Sequence, residues 1–186
     1  MRTNASTIKS WCGAGAAFIT LLGFVWHYLY DLSGENNILG AIVPVNESVW
    51  EHLKLGYWGL LLFSVVEYFF IRCKVNNYYL AKLTGLLVLE DCILLVHYTY
   101  LALSGHISIG IDIASFVMAV VLCQYAACTI YRAPAGSRRR ERLAVAAWAA
   151  LGILLVITTY FPPRYEIFRD RNTNAFGIEK RTASSE

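Results

Sequence analysis

PVNESVWEHLKL, residues Pro44 to Leu55, sets a turn-forming proline and a dense run of polar and ionisable side chains directly before a long apolar stretch. Ser48-x-x-Glu51 has the form of a capping box, in which the serine hydroxyl accepts from the Glu51 amide and the Glu51 carboxylate reaches back to the serine amide. A helix is therefore expected to start here. From Val49 to Arg72 it would extend ~36 Å at ~1.5 Å per residue, enough to cross a bilayer with some tilt. Glu47, Glu51 and His52 then stand at its membrane-water boundary, with Pro44, Asn46 and Ser48 as the structural residues that shape the approach.

The rest of the chain fits that start. Of 186 residues 57% are hydrophobic and only 16% charged, and the mean hydropathy is +0.48, the balance of a membrane protein. The net charge of +3 is small, and the basic residues fall at the ends of apolar runs, which excludes a nucleic-acid partner and makes the lipid bilayer the expected one. The five cysteines, at 12, 73, 92, 123 and 128, form no C-x-x-C pair and mostly lie in apolar runs, so they read as small packing hydrophobes. The N-terminal apolar run is long and no A-x-A-like site closes it, which reads as a retained span rather than a cleaved signal.

Five apolar segments follow, about 11–30, 49–71, 78–103, 107–131 and 143–161, each near the ~20 residues that cross a hydrocarbon core as helix. The fold class is thus an all-α, polytopic transmembrane helix bundle of about five spans. It forms one helical domain over 1–163, followed by a tail over 164–186. Orientation follows from Lys and Arg. With the N-terminus inside, Arg2, Lys9, Arg72, Lys74, Lys82, Arg132, Arg138, Arg139, Arg140 and Arg142 are cytoplasmic, ten of the sixteen basic residues. The reading is N-in, C-out, multi-pass in the cytoplasmic membrane, with PVNESVWEH on the extracytoplasmic face.

Two further segments belong to that face. The connection from Asp31 to Asn46 is too long for a tight turn and too apolar in its ILGAIVPV half to hang in water, which makes it a candidate lid. Pro162-Pro163 stops the last helix, and RYEIFRDRNTNAFGI mixes aromatic residues with paired charges, as expected of a tail folded back over the helix ends. The closing EKRTASSE reads as disordered.

Ionisable residues mark the candidate chemistry. His27 and Asp31 are four apart and share a face if helix persists, and Glu47 and Glu51 are likewise four apart with His52 adjacent. Two imidazoles and three carboxylates at one membrane face are the ligand types of zinc or a similar divalent metal, although no H-E-x-x-H motif is present. The candidate metal ligands are His27, Asp31, His52 and Asp112, and the candidate catalytic groups Glu47, Glu51, His52 and Asp112. Each also has a plain alternative: Glu51 as a cap, Glu47 as a partner of the helix dipole, Lys54 as a snorkelling pair, Asp112 as a hydrogen-bond acceptor. Within the spans, Glu67 lies one turn from Arg72 and reads as structural, whereas Glu90, Asp91, His97 and Asp112 form a possible proton path. Ser48, His52 and Asp31 or Asp112 would compose a nucleophilic set only weakly distinguished from an ordinary helix start.

The stretches HYLYDLSGENNILGAIVPVNESVWEHLKL, Glu67-Tyr68, Tyr98-x-Tyr100 with Asp112, and FPPRYEIFRDRNTNAFGI resemble an uncharacterised family of small prokaryotic polytopic membrane proteins, known only as a domain of unknown function. The resemblance spreads over most of the chain. It implies the same multi-span architecture, with His27, Asp31, Asn46, Glu47, Ser48, Trp50, Glu51, His52, Lys54 and Asp112 as signature positions. Asp31 stands where the family carries glutamate, and Asn174 and Phe176 where it carries glycine and tyrosine. In ingredients, though not in motif order or span number, the plan is similar to ceramidase-like membrane hydrolases.

Three functions remain open at this point: a membrane-embedded hydrolase or transferase assisted by a metal such as zinc, a proton- or cation-coupled transporter using the Glu90 to Asp112 line, and a non-catalytic membrane subunit whose polar belt binds a protein partner or a second copy.

Overall fold

The computed structural model describes residues 5–178, which leaves EKRTASSE, read above as disordered, outside the described residues. Five long helices carry the chain: α1 (Ala5–His27), then after a short α2 (Leu29–Leu32) come α3 (Val49–Ile71), α4 (Tyr78–Ser104), α5 (Ile109–Arg132) and α6 (Arg138–Tyr160). Four of them, α1, α3, α5 and α6, are long and apolar enough to cross a membrane. α4 is the longest, at 27 residues, but Lys82, Glu90 and Asp91 interrupt its apolar character.

Helix α4 lies along α5, α1 packs on α3 and α5, and α6 closes against α4 and α3. Ile19, Leu60, Leu86, Leu89, Val120 and Cys123 meet in the resulting core, all fully buried. Outward-facing residues such as Leu21, Phe69, Leu95 and Leu103 are large, apolar and exposed, the surface a helix bundle presents to lipid rather than to water.

Several polar groups inside the bundle are paired. Glu67 and Lys82, both fully buried, form an ion pair between α3 and α4, and the Tyr131 hydroxyl donates to Glu67 at 2.8 Å. The expected partner of Glu67, Arg72, instead lies over the rings of Tyr68 and Tyr79. Lys82, counted above as a basic residue of the inner connection, is therefore part of the core. Glu141 of α6 accepts from the amides of Tyr79 and Leu80, so one carboxylate closes the first turn of α4 from a neighbouring helix.

The cysteines depart from the reading of inert packing: Cys12 of α1 and Cys128 of α5 are joined in a disulfide, while Cys73, Cys92 and Cys123 remain free. The connection between α2 and α3 is a packed segment, with a turn of 3-10 helix at Leu39–Ala41 and with Gly40, Val43 and Pro44 buried. The tail is packed at the same end of the bundle. Asn46 Nδ2 donates to the Gly177 carbonyl at 3.1 Å, and the Trp50 ring lies 4.8 Å from that of Phe168.

Candidate functional site

The helix predicted at Val49 starts there, and its first turn explains most of PVNESVWEHLKL. Ser48 Oγ accepts from the Glu51 amide at 3.3 Å, half of the expected capping box. The other half is replaced: Asn46 Oδ1 takes the Ser48 amide at 2.9 Å, which frees the Glu51 carboxylate for a different task. That carboxylate accepts from the Val45 amide, from Thr159 Oγ1 at 3.0 Å and from Lys54 Nζ at 2.6 Å. Lys54 is completely buried and also donates to the carbonyls of Gly40 and Val43, so it does not snorkel. Glu51 and Lys54 thus bolt the α2–α3 connection and α6 onto α3. With every oxygen engaged in a closed network, Glu51 is placed as a structural group and not as a candidate base.

One residue on, His52 points the other way. Its Nδ1 lies 2.8 Å from the Ser48 carbonyl, and because a carbonyl only accepts, Nδ1 carries the proton and Nε2 of the neutral ring offers a lone pair. That Nε2 lies 3.1 Å from Nε2 of His27 and 3.4 Å from Oε2 of Glu47, and the His27 to Glu47 separation is 3.8 Å. The three ligand atoms lie within 4.8 Å of one another. Two nitrogens bound tetrahedrally to zinc at ~2.0–2.1 Å would stand about 3.3 Å apart, so the trio needs little movement to close on an ion. The three side chains are roughly a quarter to two-fifths exposed, which leaves the cluster accessible. Contact with the His52 ring, helped by the charges of His52, His27 and Arg171, holds the Glu47 carboxyl below its ordinary range against the opposing effect of burial.

The trio forms one wall of a cavity of about 380 Å³, a size typical of small-ligand sites. Facing it are Asp112 and His97, with Arg171 from the tail. His97 Nδ1 donates to Asp112 Oδ1 at 2.8 Å, Arg171 Nη1 donates to Asp112 Oδ2 at 2.9 Å, and Arg171 Nη2 lies against the His97 ring at 3.0 Å from Nε2. Ser115 Oγ donates to the Asp112 backbone carbonyl, so the carboxylate itself is taken by His97 and Arg171. Phe24, Leu55, Ile93, Ile113 and Phe116 supply the apolar part of the lining.

Of the expected residues, His27, Glu47, His52 and Asp112 line this one cavity, with His97 beside them. Asp31 is exposed and outside the trio, because the helix breaks at Tyr28 and the four-residue register with His27 is lost. Asp112 stands with His97 and Arg171 instead of joining the imidazole pair. Ser48, fully buried with its hydroxyl committed to the Glu51 amide, is no nucleophile, and what meets His52 is its carbonyl. On the proposed proton path, Glu90 has both carboxylate oxygens buried and without a hydrogen-bond partner among the described residues, whereas Asp91 is exposed on the outside of α4.

Arg171 is the charged cavity residue that sequence reasoning missed. It is presented by a turn built on Asp170, only 2% exposed, whose carboxylate accepts from the Asn172 amide and the Thr173 hydroxyl. The signal was available as Asp170-x-x-Thr173, an aspartate with turn-forming residues behind it in a tail rich in charge. No curated protein and no solved structure matches the chain. A family model matches residues 1–178, and the chain belongs to that family, DUF6512, a family of unknown function.

Proposed function

We propose that the protein is a metal-dependent hydrolase or transferase of the cytoplasmic membrane, with His27, Glu47 and His52 holding a divalent ion such as zinc. The observation that carries the reading is the convergence of three ligand atoms on the wall of an accessible cavity, with the His52 tautomer fixed by the Ser48 carbonyl. Two histidines and one glutamate with the remaining direction open to a cavity is a donor set that suits catalytic zinc. Such an ion supplies Lewis acidity and lowers the pKa of bound water. Asp112, its two oxygens oriented by His97 and Arg171, is the acid-base group across the cavity. Glu47 thereby moves from candidate base to candidate ligand.

In this reading α4 is a fifth span, and the chain is N-in, C-out. Arg72, Lys74, Arg132 and Arg138 to Arg142 cluster at the end opposite the cavity, which supports that orientation. The buried Cys12–Cys128 disulfide, a bond of oxidising compartments, argues for the reverse. Cysteines introduced at Asn37 and Ala135, both exposed, decide it: an impermeant maleimide added outside should modify Asn37→Cys and spare Ala135→Cys in a background lacking native cysteines.

A cation- or proton-coupled transport function is the second reading, supported by Glu90, whose unpartnered carboxylate lies inside the bundle beyond the cavity. The two separate on metal content. Protein purified in detergent and equilibrated with zinc is expected to retain about one ion per chain, and His52→Ala and His27→Ala to retain none. Wild-type protein that binds no zinc, manganese or cobalt ends the first reading.

A further inference from the structure

The cavity that holds the imidazole pair has two chemically different ends. Toward the tail it is polar, with Glu47, Asp112, Arg171 and Asn172, and away from it the lining is Phe24, Ile93, Ile113 and Phe116. The close packing of α1 on α5 sets the floor: a Cβ on Gly23 would come within 2.6 Å of the Phe116 ring, so glycine is what lets that ring lie across the bottom. Above this floor the walls are open sideways. Phe24 of α1 is 42% exposed, and Ile109 and Ile113 of α5 are 75% and 46% exposed, although all three line the cavity. Both helices are long and apolar enough to cross a membrane, which in the membrane reading turns this opening toward lipid.

The charges add a second constraint. Glu47 and Asp112 bring two carboxylates to the cavity against the single guanidinium of Arg171, with the imidazoles of His27, His52 and His97 between them, so without a metal the cavity has no surplus of fixed positive charge to hold an anion. A divalent ion on His27, Glu47 and His52 reverses the balance and leaves the guanidinium, already oriented by Asp112 and His97, as the second anchor for an oxyanion.

We infer that the substrate is an anionic amphiphile whose oxyanion head group, phosphate or carboxylate, lies between the metal trio and Arg171 while its chain leaves between α1 and α5 into the bilayer. This rests on the metal reading of the site, and it adds that head-group binding requires the metal. An amphiphile gains affinity from each methylene it buries against Phe24, Ile113 and Phe116, which a free anion does not.

The test uses the full chain in dodecyl maltoside micelles, where a neutral amphiphile of matched chain length is always in excess, with dodecyl phosphate and inorganic phosphate as probes. Binding is read as the shift in thermal unfolding against probe concentration, for zinc-loaded and chelator-stripped protein. Dodecyl phosphate is expected to half-saturate zinc-loaded protein at a concentration at least tenfold below that of inorganic phosphate, and to shift stripped protein little. Ile113→Trp, at an exposed position in the opening, should keep its zinc and lose tenfold or more for dodecyl phosphate alone. Phe24→Ala, a second variant at the same opening, should lose in the same direction. Arg171→Gln should weaken both probes. Equal affinity for the two phosphates means a free anion is the ligand and overturns the inference, as does binding that persists without metal. Zinc binding without any response to dodecyl phosphate overturns the inference while leaving the metal site standing, and absence of zinc binding removes the reading on which it rests.

Discussion

Glu51 and His52 are neighbours in the first turn of α3, and they face opposite fates. Glu51, with Lys54, is sealed inside a network in which an amide, a hydroxyl and an ammonium use up the carboxylate and two carbonyls share the lysine. His52 meets another imidazole and a carboxylate on a cavity wall, its Nε2 3.1 Å from that of His27. The first arrangement has nothing left to bind with, and the second keeps its ligand atoms turned toward an accessible cavity. Charge and burial alone do not separate a site from a scaffold; what separates them is whether the hydrogen-bonding capacity is already consumed.

The scaffold half of this contrast is the easiest to break. Glu51→Gln puts an amide where the Val45 amide, the Thr159 hydroxyl and the Lys54 ammonium all need acceptors, and leaves a buried ammonium without its counter-charge. Removing one partner of a buried ion pair costs about 3 to 5 kcal/mol, so a large fall in the detergent unfolding temperature is expected, with Lys54→Met behaving alike. Zinc bound per folded chain should not change. A Glu51→Gln protein of wild-type stability that has lost its zinc would reverse the two roles.

Tyr131→Phe applies the same logic at the other end of the bundle. It strips one donor from Glu67 but leaves the Lys82 pair, and a lost bond to a buried charge costs about 1 to 3 kcal/mol. Calorimetry should show a moderate drop in unfolding temperature and unaltered zinc stoichiometry; a variant that sheds its metal would connect this cluster to the cavity.

For the site half, the expected stability effect is smaller and the functional effect complete. His52→Ala forfeits hydrogen bonds to the Ser48 carbonyl and to the His27 ring, each about 1 kcal/mol, and removes the side chain at the centre of the trio. Elemental analysis of the folded variant should find no zinc. If metal is retained, or if the protein fails to fold, His52 belongs with Glu51 on the structural side.

The helices were legible in the sequence because apolar runs of spanning length leave few alternatives, and α3 begins at Val49 as its Ser48 cap requires. The cavity was legible in part: His27 and His52 were expected as metal ligands and Glu47 as a catalytic group, but which of the local carboxylates lies beside the imidazoles depends on a helix break at Tyr28 that no proline or glycine announces. The division of labour between Glu47 and Glu51 was not legible, because it rests on Lys54 and Thr159, the latter 108 residues away. The tail shows both outcomes at once. Asn174, a position where the resemblance led to an expectation of glycine, has φ of 61°, a left-handed conformation that asparagine tolerates better than most residues. Arg171, presented by that turn, was visible only as a charge.

Glu47 gives the finest test of the contrast, because its role in the site has a sign in pH. The His52 ring and the nearby positive groups hold its folded-state pKa below the ordinary 4.5, while an unfolded chain restores the ordinary value. Between those two values the unfolded chain binds the proton first, so stability falls as the solution is acidified. The contribution of this carboxylate is therefore fully present above pH 4.5, declines through the interval beneath it, and is gone once the pH lies below the lowered folded value. With roughly two-fifths of the side chain exposed, solvent screens the interaction and the effect is expected to be small. In chelator, so that metal release adds nothing, wild type should be slightly more stable than Glu47→Gln at neutral pH, and the gap should close as the pH falls below 4.5. A gap that stays constant over that range, or widens on acidification, would mean that the Glu47 carboxylate gains nothing from the imidazoles in the folded protein, and the trio would lose its third member.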